Sequence, residues 1–236
     1  MRPKKKPRTV ELYTHYLRRL VAPRLGSKKA HEITPGAVDN LHRAIGTSTR
    51  KKRGRPVTAN RAIVALSGVY TFAARRRLTA NGINPARGIE KFREQGRERY
   101  LSTDELGRLG QVLRAGELAG LAWSRESGRA ASRHDRKPEN RKTKLSQHVT
   151  AAFRLLLFTG CRLREILQLR WSEVDFERGL LLLPDSKTGR KTVVLNAPAV
   201  QVLAEVPRIR GCEFVILGDD PKKPRADLQK PWDLVK

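Results

Sequence analysis

The sequence is poor in cysteine and aromatic residues, and it has no long apolar run. Its 236 residues include two cysteines, Cys161 and Cys212, and neither belongs to a spacing typical of a zinc site or a disulfide framework. We therefore expect no metal site, no disulfide and a reducing compartment. No stretch approaches the ~20 apolar residues of a membrane-spanning helix. The basic first residues lead into no apolar run, so no signal peptide is expected either.

Acidic residues are also scarce. The chain has 23 Asp and Glu against 50 Lys and Arg, which gives a net charge of +27 and a pI near 11.2. Such an excess indicates a polyanionic partner, and nucleic acid is the most common one. A basic membrane-surface protein would need an amphipathic helix with large aromatic anchors, and the sequence pattern contains none. We expect a cytoplasmic, nucleoid-associated protein.

The first hundred residues predict helices joined by short turns. Thr9 is the expected cap of a first helix that ends at Pro23, and Thr34-Pro35 begins a second helix. A third helix is predicted from about 57 to 78, because its apolar residues recur at helical spacing. Asn81-Gly82 is expected to close it.

Basic residues concentrate around the third helix. The run that precedes this helix is expected to contact DNA, with a solvated loop as the alternative. The triplet at its C-terminal end either complements the helix dipole or contacts phosphate. Together with one arginine on the third helix and one near a predicted hairpin tip, the expected DNA-binding residues are Arg50, Lys51, Lys52, Arg53, Arg55, Arg61, Arg75, Arg76, Arg77 and Arg190.

A charged stretch separates two predicted domains. Residues 1–92 are expected to form a helical domain and 93–101 a linker, which overlaps a run of alternating charge from 85 to 100. The second domain, 102–236, begins at the Ser102–Glu105 capping box.

The second domain combines helices with a β-hairpin. A polar insertion is expected at about 115–144, where the sequence loses its periodicity. After it, the apolar pattern predicts helices at 146–158, 163–169 and 197–205, and two strands at 180–183 and 192–195.

Two short motifs carry candidate chemistry. Thr159-Gly160-Cys161-Arg162, followed by Glu165, lies where one apolar helix ends and the next begins, and Ser186-Lys187-Thr188-Gly189-Arg190 forms the predicted hairpin tip. An arginine fixed at a helix junction offers a bidentate fork to phosphate oxygens, and a lysine at a hairpin tip can donate a proton. Each motif also has a structural alternative, an i,i+3 salt bridge for Arg162 and Glu165 and simple turn chemistry for Lys187.

Taken together, the motifs resemble the tyrosine recombinases of the phage integrase family. The resemblance is densest over the stretch LLLFTGCRLREILQLRWSEVDFERGLLLLPDSKTGRKTVVLN, residues 155–196. It implies that Arg162 contacts the scissile phosphate, that Glu165 supports the site and that Lys187 protonates the leaving 5′ oxygen. It further implies that the helical first hundred residues are a core-binding domain that clamps the other face of DNA.

The chain departs from the family after Lys187. Family members carry a His-x-x-Arg box, a further His or Trp and a nucleophilic tyrosine, and none of these follows Lys187 before the chain ends at Lys236. The last histidine is His148, and every tyrosine precedes Arg162. We therefore expect a C-terminally truncated fragment that binds DNA but lacks a nucleophile.

The sequence thus predicts a mainly α fold with a small antiparallel β-sheet, in which a helical SAM-like core-binding domain precedes an incomplete α+β tyrosine-recombinase catalytic domain. The implied reaction is site-specific DNA recombination by transesterification through a 3′-phosphotyrosyl intermediate, with no metal or other cofactor. Double-stranded DNA is the predicted partner, and self-association on DNA is a further possibility.

Three alternatives stay open. The first is a non-catalytic DNA-binding protein, left by truncation or by decay of a mobile element. The second is a basic RNA-binding or ribosome-associated protein, which an aromatic content of 6% does not favour. The third is a type IB topoisomerase, against which the T-G-x-R box and its flanking residues favour an integrase.

Overall fold

A computed structural model describes residues 6–49, 53–79, 82–96, 98–122, 141–186, 189–218, 220 and 222–236 of the chain. The chain divides into two compact units, Met1–Arg99 and Tyr100–Lys236, called here the first and the second unit. No helix among the described residues is long and apolar enough to cross a membrane.

The first unit is built from helices. Val38, Leu41 and Ile45 of the helix Pro35–Gly46 are buried with Ile63 and Leu66 of the helix Pro56–Arg75, and these residues form the core of the unit. Thr34 caps the helix Pro35–Gly46 as predicted, its hydroxyl accepting from the N–H of Ala37. The helices are α1 (Pro7–Tyr16), α2 (Ala22–Leu25), α3 (Pro35–Gly46) and α4 (Pro56–Arg75).

The predicted limits of the first helix are wrong at both ends. The helix begins at Pro7, which leaves Thr9 inside it rather than at its cap. It also continues beyond Pro23, because a π-helical turn, Leu17–Val21, precedes the proline and bonds the N–H of Ala22 to the carbonyl of Leu17. This wider turn carries the helix past a residue that has no N–H to donate.

The C-terminal end of α4 also differs from the prediction. The helix ends at Arg75, not near residue 78, because Arg77 adopts a left-handed backbone with φ of 56°. The N–H of Leu78 then reaches back to the carbonyl of Ala73 at 2.9 Å, which satisfies the helix end in the way a glycine usually does. Asn81 lies outside the described residues.

The stretch 84–94, called here the strap, is bonded to α4. Asn60 donates through Nδ2 to the carbonyl of Phe92 and to Glu94, both at 2.9 Å, and its Oδ1 accepts from the N–H of Phe92 at 3.0 Å. Nε2 of the buried His42 lies 2.9 Å from the same Oδ1, so the imidazole donates there. Although the alternating charge from residue 85 onward suggested a linker, the part of it up to Glu94 is therefore bonded to α4.

The second unit combines helices with small antiparallel sheets. Strands β3 (Val174–Asp175), β4 (Leu180–Ser186) and β5 (Gly189–Val194) form a three-stranded sheet in that order. The mainly α fold with a small antiparallel sheet is thus confirmed. The remaining elements of this unit are α5 (Thr103–Leu118), β1 (Leu121–Ala122), β2 (Lys142–Thr143), α6 (Gln147–Thr159), α7 (Leu163–Leu167), α8 (Ala197–Glu205) and α9 (Gln229–Val235).

The local signals of the second unit behave largely as predicted. Ser102 and Glu105 form the expected capping box at 3.2 and 3.0 Å. The hairpin is longer than predicted, since β4 reaches Ser186, and α7 ends at Leu167 rather than Leu169.

The predicted insertion at 115–144 is partly regular structure. Its first residues complete α5, and β1 pairs with β2 through Leu121↔Thr143 and Ala122↔Lys142. Residues 123–140, between these strands, lie outside the described residues.

Candidate phosphate-binding site

A tight corner joins α6 to α7. The Thr159 hydroxyl donates to the carbonyl of Leu155 at 2.6 Å and accepts from the N–H of Cys161 at 3.2 Å. Between them Gly160 turns the chain with a left-handed φ of 61°, which an L side chain rarely adopts. Asn196 also holds this end of α6, because its amide donates to the carbonyl of Phe158 at 3.1 Å. These bonds therefore fix the direction of the chain from the end of α6 to Arg162.

Arg162 lies directly after this corner, at the N-cap of α7. Its guanidinium donates from Nη1 to Oε1 of Glu165 at 2.8 Å, and its backbone N–H donates to Oε2 of the same carboxylate at 3.0 Å. Half of the Arg162 side chain is exposed. Since a guanidinium carries five N–H donors, donors remain for an anion in solution.

Glu165 is the buried centre of the site, with a side chain that is 6% exposed. Lys191 of β5 approaches it from the sheet, with Nζ at 3.1 Å from Oε2 and at 4.0 Å from Sγ of the buried Cys161. Burial alone would raise the pKa of Glu165, but the N–H groups of Arg162 and the ammonium of Lys191 lower it to about 2. The carboxylate is therefore ionised at neutral pH and holds two cations.

Lys191 is a residue of the site that neither sequence motif predicts. Along β5 the side chains alternate between two faces, and Lys191 shares its face with Val193, which packs against the core, and with the buried Leu195. Lysine is rarely placed on a core-facing register without a partner. That parity in the sequence is the signal that could have identified the residue.

The structure brings together only part of the predicted catalytic set. Arg162 and Glu165 are bonded to each other, as both the salt-bridge and the phosphate interpretations require. Lys187, the predicted proton donor, lies outside the described residues. Of the hairpin tip, Ser186 is buried and Arg190 is exposed on β5.

The predicted DNA-binding residues of the first unit lie near both ends of α4. Arg50, Lys51 and Lys52 lie outside the described residues, and Arg53 and Arg55 are exposed just before the helix. At the other end Arg75, Arg76 and Arg77 are all exposed, and the Arg76 guanidinium stacks over Phe72 at 5.5 Å. Arg61 is engaged with Glu94 of the strap at 2.8 Å, so part of its charge is already neutralised.

Comparison with protein families identifies the segment that contains this site. Residues 136–230 match the model described as the phage integrase family, and this range includes Arg162, Glu165, Lys187 and Lys191. No curated protein matches the sequence.

Solved structures of low sequence identity share the fold. A fragment of the Tn1549 transposon integrase in complex with circular intermediate DNA matches with a TM-score of 0.65 and 16% identity, over 99% of this chain and 73% of that one. A lambda integrase dimer bound to a COC′ core site matches with a TM-score of 0.63 and 16% identity, over 94% of this chain and 54% of that one. A lambda integrase tetramer bound to a Holliday junction matches with a TM-score of 0.62 and 18% identity, over 94% of this chain and 56% of that one. The chain thus spans little more than half the length of these two lambda integrase chains.

Proposed function

We propose that this chain, whose residues 136–230 match the model of the phage integrase family, binds duplex DNA and holds a backbone phosphate at Arg162 during site-specific recombination. The observation that carries the proposal is the corner itself. An exposed guanidinium is fixed there by a buried carboxylate, and a second cation neutralises that carboxylate. In the family, the arginine of the T-G-x-R box contacts the scissile phosphate, and Arg162 has that position.

The chemistry that this site would serve is transesterification of a phosphodiester. A tyrosine attacks the phosphate, and charge that develops on the phosphate oxygens is stabilised by fixed positive groups. Arg162 supplies one such group. Following the family resemblance, Lys187 is proposed as the proton donor to the leaving 5′ oxygen.

The rest of the chain would supply affinity for DNA. The net charge of +27 and the exposed arginines around α4 support contacts to many phosphates. The solved relatives include a dimer on a core site and a tetramer on a Holliday junction. By analogy, we propose that this chain also associates with itself on DNA.

A second candidate is DNA binding without strand cleavage. It is favoured by the position of the tyrosines, because the four that these 236 residues contain, Tyr13, Tyr16, Tyr70 and Tyr100, all precede Arg162. The two candidates share the phosphate contact and differ in covalent capture of DNA.

The phosphate contact is tested by comparing two neighbouring arginines. Arg162→Ala removes the fixed fork, and Arg164→Ala removes an equal charge from an exposed position on the same short helix. Duplex affinity is measured by fluorescence anisotropy between ~50 and ~200 mM salt, where each neutralised phosphate contributes about −0.9 to the slope of log K against log salt. We expect Arg162→Ala to reduce the slope by about one such unit and the affinity by roughly tenfold. Identical losses for the two variants would contradict a specific role for Arg162.

A further inference from the structure

Lys191 reaches the site from a different element than the two residues it supports. Arg162 and Glu165 are three residues apart at the start of α7, whereas Lys191 lies on β5, opposite Leu183 of β4. Its side chain is 31% exposed, and its Nζ bonds the buried Oε2 of Glu165. The contact therefore connects the corner to the sheet.

The two oxygens of Glu165 accept hydrogen bonds from different donor groups. Oε2 accepts from Lys191 and from the backbone N–H of Arg162, and Oε1 accepts from the Arg162 guanidinium. With Oε2 held from two sides, the carboxylate cannot rotate freely. Oε1 is thereby fixed at the position that orients the guanidinium.

Charge balance gives Lys191 a second effect. Arg162 and Glu165 together have no net charge, so the pair alone offers little long-range attraction to a phosphate. Adding Lys191 gives the three residues a net charge of +1. The Lys191 ammonium lies 3.1 Å from the Glu165 carboxylate, so its charge belongs to the same cluster as Arg162.

From this geometry we infer that Lys191 is a positioning residue for the phosphate site, acting through Glu165 to orient the Arg162 guanidinium and to leave the site with net positive charge. The inference depends on the proposed function for its link to DNA, but not for the orientation of Arg162. The two parts are therefore tested by separate measurements.

The first measurement uses the full chain without DNA. Hydrogen bonding to a fixed carboxylate slows rotation of the guanidinium, which side-chain nitrogen NMR detects, and the Arg162 signal is identified by its loss in Arg162→Ala. We expect slow rotation in the wild type and in Lys191→Arg, and faster rotation in Lys191→Met and Glu165→Gln. A wild-type signal in Lys191→Met overturns the inference whatever the DNA experiments give.

The second measurement is a double-mutant cycle on duplex affinity. If Lys191 acts through Arg162, Lys191→Met weakens binding ~3-fold or more alone and has no further effect in the Arg162→Ala background. Equal losses in both backgrounds mean that Lys191 contacts DNA directly or acts as general charge, and the inference is then wrong. Lys223→Met, at an exposed lysine paired with Asp220, measures the loss expected from one unspecific charge.

Two further outcomes are separable. If Arg162→Ala leaves affinity unchanged, the proposed phosphate contact fails, and the NMR signal alone decides whether Lys191 orients Arg162. If Lys191→Met fails to fold because Glu165 is left with too little positive charge, the Lys191→Met/Glu165→Gln variant removes both charges. We expect this variant to fold and to keep the fast guanidinium rotation, whereas slow rotation in it would contradict the role of the carboxylate.

Discussion

At the scale of single residues, Glu165 shows how competing effects set a pKa. Burial alone would raise it, but two N–H groups of Arg162 and the ammonium of Lys191 lower it from 4.5 to about 2. Because the folded pKa lies below the ordinary value, protonation favours the unfolded chain. The stabilisation is therefore complete above pH 4.5 or so, and it is lost as the pH falls toward about 2.

Glu165→Gln should remove this pH-dependent stability. The full pKa shift corresponds to about 3 kcal/mol, and screening at the partly exposed Arg162 and Lys191 reduces the expected loss at pH 7 to about 1–2 kcal/mol. Urea unfolding of the wild type and the variant should give free energies that differ at pH 7 and converge as the pH approaches ~2. Glu177→Gln, at an exposed carboxylate, serves as the control and should lie close to the wild type throughout. A constant gap between Glu165→Gln and the wild type at every pH would contradict the assignment.

At the scale of elements, the end of α6 depends on backbone conformation rather than on space. A Cβ added to Gly160 or to Gly107, inside α5, would meet no atom within 4 Å. Only Gly160 has a left-handed φ, of 61°. Gly160→Ala should therefore destabilise the protein by about 1–2 kcal/mol, and Gly107→Ala should stabilise it by about 0.5–1 kcal/mol. Thermal unfolding of both variants should show a lower Tm for Gly160→Ala and a higher Tm for Gly107→Ala. Changes of Tm in the same direction would show that φ does not decide the effect.

The strap depends on one buried amide. Asn60→Ala would leave the N–H and carbonyl of Phe92 and the Nε2 of His42 without their partner, a loss of about 2–4 kcal/mol. Trypsin should then cut within the strap, at Arg87, Lys91 or Arg93, before it cuts the helices. Arg61→Ala breaks only the exposed pair with Glu94 and should cost less than about 1 kcal/mol. Unchanged protection of the strap in Asn60→Ala would show that packing, not the amide, holds it.

These elements also separate what the sequence can predict from what it cannot. The caps at Thr34 and Ser102 were predictable because each depends on residues within one turn. The passage of the first helix beyond Pro23 was not, because it requires a π turn that local preferences disfavour. Likewise, Arg162 and Glu165 follow from a local motif, but Lys191 joins them through the pairing of β4 with β5, which a motif does not record.

At the scale of the whole molecule, we propose that the two units contribute different contacts to DNA. The exposed arginines around α4 belong to the first unit, and the Arg162 corner belongs to the second. We propose that the first supplies general affinity for the DNA backbone and that the second selects one phosphate. Arg162 can polarise a phosphate held in this way, but attack on that phosphate also needs a nucleophile.

A polypeptide of these 236 residues should consequently form no covalent link to DNA. Tyr70 is buried, its hydroxyl donates to the carbonyl of Ala30 at 2.8 Å, and burial raises its pKa, so it is a poor nucleophile. Tyr16 packs against the core of the first unit, and Tyr13 is also partly buried. Tyr100 is 88% exposed and is the tyrosine most open to solvent among the four.

The test is incubation with a nicked suicide duplex, followed by a denaturing gel. We expect no shifted protein band from the wild type or from Tyr100→Phe. In the family the nucleophilic tyrosine follows the arginine at the position of Arg162, and no tyrosine follows Arg162 in these residues. A covalent band that Tyr100→Phe abolishes would instead make Tyr100 the nucleophile. If such a band also weakened in Arg162→Ala but not in Arg164→Ala, the capture would depend on the same phosphate site, and DNA binding without cleavage would be excluded.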